Sequence, residues 1–305
     1  MLFQRNNIWL SKGKKVYLNT VRHDNIDYLL TQLNPDHEKS KGGNSNVFAV
    51  KDPNTEDEYV IKFCKFDIDN AQPWMKTRIA RFEREIDALQ TAKEANCGNV
   101  IDFKFSEYKT ISNKKFHFYV MEKADLDLTS YLEAEDLSDQ MRFQLCTYIL
   151  EGIQQLHKLG IYHRDIKPDN ILRVNGTWKI GDLGLVAYRE PDFEIDEIGE
   201  RIGPIGWLSP EAMNKFFNEG LGKKNTHGFD CKLDEKSDIF QLGKLFWFIF
   251  QGNIPIGQIR RADFKLKDKT LYDLILTMLR HSKENRLSIQ EIEDGFKTRY
   301  SHYGI

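Results

Sequence analysis

The stretch IYHRDIKPDNILRVNGTWKIGDLGL, residues 161–185, largely decides how the rest of the sequence is interpreted. Its centre, Asn175-Gly176, separates two β-prone runs, and this dipeptide is a strong hairpin signal because both turn positions require positive φ. A two-residue turn there pairs the two runs residue by residue. The sequence therefore predicts that Asn170 and Asp182 lie close together at the open end of a hairpin.

An amide oxygen beside a carboxylate is a ligand pair that suits a hard cation such as Mg²⁺. Asp165 and Lys167 enter the same polar cluster from the loop before the hairpin. Acids next to buried strands are costly unless a cation or a proton donor uses them. The alternative is a surface hairpin with polar ends, and the remaining motifs have to decide between the two.

Composition favours an ordinary globular protein. The chain has 305 residues, 40% of them hydrophobic, and a net charge of −2, which indicates no nucleic-acid partner. Its strongest apolar run, 245–250, is far too short to cross a bilayer, so no membrane association is expected. The four cysteines form no CxxC pair, which favours free thiols in a reducing compartment and a cytoplasmic location.

The pattern of apolar residues changes once along the chain, near residues 122–125. Before that point strand-like runs dominate, with one main amphipathic helix, and after it helical periodicity dominates. We expect an α+β fold with a small β-rich lobe and a larger, mostly helical lobe. The expected divisions are 1–35 as an N-terminal extension with an extra hairpin turning near Gly13, 36–122 as the first lobe, and 123–305 as the second.

Two features of the first lobe are compatible with phosphate binding. SKGGNSNV at 40–47 contains small residues that let backbone approach a phosphate closely, although an ordinary flexible turn would look the same. Lys62 lies within an apolar strand and should be paired, with Glu85 on the following helix as the obvious partner. The alternative is a lysine that points outward from an edge strand.

Further motifs follow the octet HRDIKPDN and the tripeptide DLG: GWLSPE at 206–211, SDIFQLG at 237–243 and Arg286 in SKENRLS. In this order and spacing the set resembles the protein kinase family, over roughly residues 40–290. HRDIKPDN is similar to the serine/threonine branch of that family. The resemblance implies a two-lobe kinase fold and transfer of the γ-phosphoryl group of ATP, with Mg²⁺, to serine and threonine hydroxyls of proteins, autophosphorylation included. It leaves the oligomeric state open.

The resemblance implies nucleotide contacts mainly in the first lobe. Lys62 would hold the α- and β-phosphates and pair with Glu85. Met121 would border the adenine, and backbone groups of residues 122–124 would bond to it. The full implied set of nucleotide-binding residues is Gly42, Gly43, Val47, Val60, Lys62, Met121, Glu122, Ala124 and Leu172.

The resemblance also implies the roles of the catalytic and metal-binding residues. Asp165 would accept or orient the proton of the substrate hydroxyl, and Lys167 would stabilise the transferring phosphoryl group. Asn170 and Asp182 would hold Mg²⁺, in agreement with the hairpin argument.

Three more residues would support the second lobe if the resemblance holds. Glu211 would pair with Arg286 to brace the helices, and Asp238 would anchor the catalytic loop.

Two departures from the family pattern bear on function. Pro204 stands where serine/threonine kinases usually have the threonine that bridges Asp165 and Lys167. The activation segment, 182–211, has no serine or threonine between Gly184 and Trp207. It is instead rich in acids, and we expect one of them to pair with Arg164 in place of a phosphate, unless the whole loop is simply solvated. The acids are Glu190, Asp192, Glu194, Asp196, Glu197 and Glu200.

Two other functions remain open from the sequence. A pseudokinase would keep the fold as a binding or scaffold module. The residues expected at the four main chemical positions are all present, which argues against it: Lys62, Asp165, Asn170 and Asp182. A small-molecule kinase of related fold would typically lack the SPE segment and the acid corresponding to Asp238, and both are present.

Overall fold

The computed structural model describes residues 1–33, 44–190, 195–219 and 225–304. The chain forms two compact units. Unit 1 comprises Met1–Lys93 and Ile101–Ala124, and unit 2 comprises Glu94–Val100 and Asp125–Ile305. The first is rich in sheet and the second in helix, as the expected α+β architecture with a β-rich first lobe and a mostly helical second lobe requires. The finer division at residue 35 stays a prediction.

Unit 1 contains strands and one long helix. The elements are β1 (Leu2–Gln4), β2 (Asn7–Trp9), β3 (Thr20–His23), β4 (Ile26–Thr31), β5 (Ser45–Lys51), β6 (Glu58–Cys64), α1 (Pro73–Glu94), β7 (Phe103–Ile111) and β8 (Lys114–Glu122). Six of the strands form one antiparallel sheet in the order β3-β4-β5-β6-β8-β7. Helix α1 buries the apolar stripe that predicted it, Ile79, Phe82, Ile86 and Leu89.

The two faces of the unit 1 sheet differ in character because side chains alternate along each strand. On β6, Ile61 and Phe63 are fully buried in a hydrophobic cluster that also contains Ile8 and Leu30 from the N-terminal segment. Lys62 lies between them in sequence and therefore belongs to the opposite face. One face thus holds the hydrophobic cluster, and the other carries Lys62.

The prediction of a hairpin that turns near Gly13 was wrong. The first hairpin, β1-β2, turns at Arg5-Asn6, where both residues have positive φ (51° and 56°) and Gln4 pairs with Asn7. Gly13–Leu18 instead forms a 3₁₀ helix. After β2, the side chain of Asn19 accepts a hydrogen bond from Ser11 N at 2.7 Å and donates one to Ser11 O at 2.9 Å. The amide of Asn19 thus replaces the strand partner that a hairpin would have supplied.

Unit 2 contains short strands and several helices. The elements are β9 (Leu126–Asp127), α2 (Leu128–Ala134), α3 (Asp139–Lys158), β10 (Ile161–Tyr162), β11 (Ile171–Val174), β12 (Thr177–Ile180), β13 (Ala187–Tyr188), α4 (Pro210–Asn214), α5 (Glu235–Gln251), α6 (Lys269–Met278), α7 (Ile289–Lys297) and α8 (Tyr300–Tyr303). Strands β12-β11-β9 form one small sheet and β10-β13 another.

Helix α5 is the centre of unit 2. Its sequence is apolar nearly all round, and most of its residues are buried, as a central helix requires. It begins at a capping box formed by Asp234 and Ser237, and it ends at Gly252 in the left-handed conformation (φ 75°). These end signals fix which residues of α5 face the loop of residues 163–170, which carries the site described next.

Candidate active site

The hairpin that the sequence predicted forms with the expected register. Asn175 and Gly176 both have positive φ (48° and 82°), and β11 pairs with β12 from the turn outward to the last pair, Ile171 and Ile180. One step further, Gly181 N donates to Asn170 O at 2.8 Å. The backbone therefore places Asn170 opposite Gly181, the residue directly before Asp182.

The loop of residues 163–170 is anchored by Asp238 on α5. The Asp238 side chain is fully buried and accepts hydrogen bonds from His163 N (2.7 Å), Arg164 N (2.7 Å) and His157 Nε2 (2.9 Å). Burying a carboxylate is costly unless several donors satisfy it, and three do so here. Since Arg164 has a positive φ of 65°, these bonds also hold a backbone conformation that a side chain disfavours.

Gln241, about one turn after Asp238 on the same helix, fixes the next part of the loop. Its Oε1 accepts a hydrogen bond from Ile166 N at 3.0 Å, and its Nε2 donates to Arg164 O at 3.0 Å. Two side chains of one rigid helix thus bond to the backbone on both sides of Asp165. The backbone on either side of Asp165 is therefore fixed independently of the contacts that its side chain makes.

The carboxylate of Asp165 has two differently used oxygens. Oδ2 accepts hydrogen bonds from Lys167 Nζ at 2.7 Å and Asn170 Nδ2 at 3.0 Å. Oδ1 is buried and has no hydrogen-bond partner among the described residues. An unpaired buried acceptor is costly, so Oδ1 is the oxygen of this carboxylate that is available to a further hydrogen-bond donor.

Burial raises the pKa of Asp165; the ammonium of Lys167 acts in the opposite direction and Asp182 in the same one. A raised pKa makes a carboxylate a better proton acceptor at neutral pH. Near Oδ1 lies Gly203, where an added Cβ would sit 3.4 Å from that oxygen. Pro204 has no hydroxyl that could bridge Asp165 and Lys167, and these two side chains are in direct contact at 2.7 Å.

His163 connects the loop to the hairpin. Its Nδ1 accepts a hydrogen bond from Asp165 N at 3.2 Å, and its Nε2 donates to Gly181 O at 3.0 Å. Because a peptide N–H can only donate and a carbonyl can only accept, this pair of contacts requires the neutral imidazole with its proton on Nε2. His163 thereby fixes the distance between the backbone of Asp165 and the residue before Asp182.

The residues expected to hold a divalent ion have suitable chemistry. The amide nitrogen of Asn170 donates to Asp165, which leaves the amide oxygen as the atom available to a cation. Asp182 is exposed, adopts a positive φ of 50°, and is close enough to Asp165 to influence its pKa. Mg²⁺ is typically bound through one or two carboxylates together with substrate phosphates, and this donor set fits that pattern.

In unit 1, Lys62 and Glu85 form the pair expected from the sequence. Lys62 Nζ lies 2.7 Å from Glu85 Oε1, and their side chains are 13% and 2% exposed. Tyr119 OH donates to the same oxygen at 2.9 Å. The carboxylate therefore holds the lysine in one position near the surface of the sheet, and the outward-facing alternative is excluded.

The strand register places several of the expected nucleotide-binding residues on the same face as Lys62. Val47 is paired with Lys62, and Val60 is paired with Met121. Directly opposite residues in an antiparallel pair share a face, as do residues two apart on one strand. Val47, Val60, Lys62 and Met121 therefore line one face of the sheet, away from the hydrophobic cluster.

The other expected nucleotide-binding residues are more scattered. Glu122 ends β8, where its N donates to Asp102 O at 2.9 Å, and Ala124 is half-buried. Leu172 is half-buried on β11, in unit 2, and is paired with Lys179. Gly42 and Gly43 lie outside the described residues.

Glu211 and Arg286 form the ion pair expected in unit 2. Arg286 NH2 lies 2.6 Å from Glu211 Oε1, and both side chains are almost fully buried. The guanidinium also donates to three backbone carbonyls, those of Arg280, His281 and Lys236. One side chain therefore links α4, the start of α5 and the segment after α6.

Comparison with known proteins agrees with this geometry. The sequence profile described as the protein kinase domain matches residues 39–295, most of the chain. The chain belongs to the protein kinase family. Its relatives include the dual specificity protein kinase Ttk of Danio rerio, 25% identical over 83% of this chain and 26% of that protein. Others are the serine/threonine-protein kinase STK11 of Gallus gallus, 28% identical over 73% of this chain and 50% of that protein, and the serine/threonine-protein kinase PrkC of Bacillus subtilis, 29% identical over 74% and 31%.

This member of the protein kinase family spans between about a quarter and a half of the length of those relatives. Within the described residues, none of its helices is both long and apolar enough to cross a membrane.

Sequence reasoning missed three residues that support the site of this kinase family member. They are His163, Gln241 and Tyr119. His163 was present in the quoted octet as HRD, but its role depends on the hairpin folding back against the loop. Gln241 and Tyr119 act through contacts between segments that are 75 and 34 residues apart, and no local pattern marks them.

Proposed function

We propose that this chain is a serine/threonine protein kinase that transfers the γ-phosphoryl group of ATP to proteins and also to itself. The observation that carries the proposal is the state of Asp165. One carboxylate oxygen is tied to Lys167 and Asn170, and the other is buried, unpaired within the described residues, and held on a loop anchored by Asp238. Membership of the family and the serine/threonine kinases among the relatives support it.

Phosphoryl transfer requires positioning and charge compensation more than covalent help from the protein. Asp165 Oδ1 would accept the hydrogen bond of the substrate hydroxyl and take its proton as the bond from that oxygen to the γ-phosphorus forms and the bond from the γ-phosphorus to the β-phosphate oxygen breaks, which releases ADP. Its raised pKa favours that role, because the carboxylate is then a stronger base. Lys167, 2.7 Å from the other oxygen, would neutralise charge on the transferring group.

On unit 1, Lys62 would bind the phosphates of ATP, with Glu85 fixing the ammonium against the sheet. Val47, Val60 and Met121 would present apolar surface to the adenosine, and the backbone near Glu122 and Ala124 would bond to the base. Gly42, Gly43 and Leu172 complete the proposed nucleotide contacts.

Asn170 and Asp182 would hold Mg²⁺, which when bound neutralises phosphate charge. The protein's own contribution is to present two oxygen donors whose spacing is set by the Gly181–Asn170 backbone bond.

We propose one kinase domain with lobes 36–122 and 123–305 and an extension of residues 1–35, acting on protein substrates in the cytoplasm. One experiment distinguishes this proposal from its two alternatives, a pseudokinase and a small-molecule kinase. The purified chain is incubated with radiolabelled ATP, Mg²⁺ and generic protein substrates, beside parallel reactions with sugars and aminoglycosides. The proposal predicts labelled phosphoserine and phosphothreonine in protein.

The experiment includes Asp165→Asn and, as a matched control, Asp169→Asn, an exposed residue of the same loop. Asp165→Asn should lower kcat by roughly 10²–10⁴-fold, and Asp169→Asn should change it less than about twofold. Nucleotide binding without labelling would instead indicate a pseudokinase. Labelled small molecules would indicate a small-molecule kinase, and equal rates for the two variants would refute the role of Asp165.

A further inference from the structure

Arg164, the residue before Asp165, is buried in an ion pair with Asp196 of the activation segment. Its NH1 contacts Asp196 Oδ2 at 2.5 Å and its NH2 contacts Asp196 Oδ1 at 3.1 Å. The two side chains are 4% and 5% exposed. A bidentate, buried arginine–carboxylate pair is among the strongest polar contacts that a protein makes.

The same guanidinium also holds the start of the activation segment. Arg164 Nε donates to Leu185 O at 2.6 Å, and NH2 donates to Val186 O at 3.4 Å. Two points of the segment, near residue 185 and at residue 196, are thus fixed to the residue adjacent to the proposed base. The backbone of Arg164 is fixed in turn by Asp238. Residues 191–194 lie between these points, outside the described part of the chain.

The other acids of the segment differ from Asp196. Glu197 is exposed, and the peptide N–H of Glu197 bonds to Glu200 within the segment itself. Glu190 is also exposed, and Asp192 and Glu194 lie outside the described residues. Among the acids that the structure describes, Asp196 is the one placed against Arg164.

A phosphate commonly orders this segment in protein kinases by pairing with the corresponding arginine. Here a carboxylate already occupies the guanidinium with two hydrogen bonds. The segment contains no serine or threonine between Gly184 and Trp207 that could carry such a phosphate. The remaining hydroxyl, on Tyr188, belongs to β13, where Tyr188 pairs with Ile161.

We propose that Asp196 is a built-in substitute for activation-segment phosphorylation. Asp196 is a positioning residue: it orders the segment through Arg164 and so holds Asp165 ready in the unmodified chain. The inference rests on the proposed kinase function, and it adds that this function needs no activating kinase and no phosphate in the segment.

The test uses the full chain, freed of phosphate by a phosphatase and checked by mass spectrometry. Three variants are compared with wild type: Asp196→Asn, which keeps the shape and removes the charge; Asp196→Glu, which keeps the charge; and Glu197→Gln, a matched control that removes an exposed charge one residue away. Two quantities are measured: kcat and KM for ATP and for a protein substrate, and the rate at which a protease cleaves the activation segment.

The expected result is that phosphate-free wild type retains its kcat. Asp196→Asn should lose roughly tenfold or more in kcat, with KM for ATP little changed, because the buried guanidinium loses the carboxylate that balances its charge. The same variant should be cleaved faster in the segment, Asp196→Glu should recover much of both losses, and Glu197→Gln should match wild type.

Two outcomes would overturn the inference: phosphate-free wild type losing its activity, or Asp196→Asn matching Glu197→Gln in both rate and cleavage. A wild-type chain without phosphotransfer would refute the proposed function instead. The cleavage assay would still report whether Asp196 orders the segment, so the two failures are distinguishable.

Discussion

Replacing Arg286 by Met removes the guanidinium that links three segments of unit 2 and leaves its partner carboxylate buried. Arg286 is paired with Glu211 at 2.6 Å, the two side chains are 0% and 3% exposed, and three carbonyls also accept from the guanidinium. Breaking a buried pair by removing one partner costs about 3–5 kcal/mol. Since the melting temperature of a domain of the size of unit 2 shifts by about 2–4 °C per kcal/mol, it should fall by roughly 6 °C or more.

The matched control is Arg260→Met. Arg260 pairs with Asp263 at 3.3 Å, but its side chain is 74% exposed, so removing it should lower the stability far less than Arg286→Met does. Both variants are measured by thermal and urea unfolding, with circular dichroism as the signal. If Arg286→Met shifts stability no more than Arg260→Met does, the reasoning that burial makes this pair structurally decisive is refuted.

Three further predictions concern catalysis and packing. The value of kcat/KM should fall roughly tenfold per pH unit below the raised pKa of Asp165, because the ionised carboxylate is the active form. A kcat/KM that does not change with pH in the acidic range would contradict this. Glu85→Gln should raise KM for ATP about tenfold in steady-state assays, since Lys62 loses its charged anchor; an unchanged KM would argue against the pair. Gly152→Ala should lower the free energy of unfolding in urea by about 1–3 kcal/mol, because the added methyl would lie 2.7 Å from a backbone carbonyl oxygen. The control Gly98→Ala, where the added methyl meets nothing within 4 Å, should lower it much less. Equal losses would contradict the packing argument.

The features that the sequence predicted well are those set by local chemistry. The turn at Asn175-Gly176 fixes the hairpin register because Asn and Gly both readily adopt the positive φ that the two turn positions require. The strand-like runs with one amphipathic helix before residues 122–125, and the helical periodicity after them, predicted a sheet-rich unit that contains α1 and a helical unit that contains α5. Local patterns were sufficient in each case.

Local chemistry misled where a side chain replaced a backbone partner. Gly13 looked like a hairpin turn because it separates two apolar runs, but the amide of Asn19 bonds to both backbone groups of Ser11 and removes the need for a paired strand. A side chain that satisfies backbone groups in this way leaves no periodic signal in the sequence.

Contacts between segments that are far apart in the chain could not be predicted from the sequence. Six acids of the activation segment had equal standing as partners of Arg164, and only the folded chain shows Asp196 beside it. The role of Gln241 likewise became visible only in the structure, where α5 packs against the loop of residues 163–170. Such contacts depend on how distant segments meet, and that information is spread over the whole chain.

The claim that Asn170 and Asp182 form a metal site for a nucleotide is tested most directly by a crystal structure of the chain grown with Mg²⁺ and a nonhydrolysable ATP analogue. We predict one Mg²⁺ within about 2.0–2.2 Å of the Asn170 amide oxygen and of an Asp182 carboxylate oxygen, with the remaining ligands supplied by phosphates and water. A well-ordered nucleotide with these two side chains turned apart and no metal between them would contradict the account.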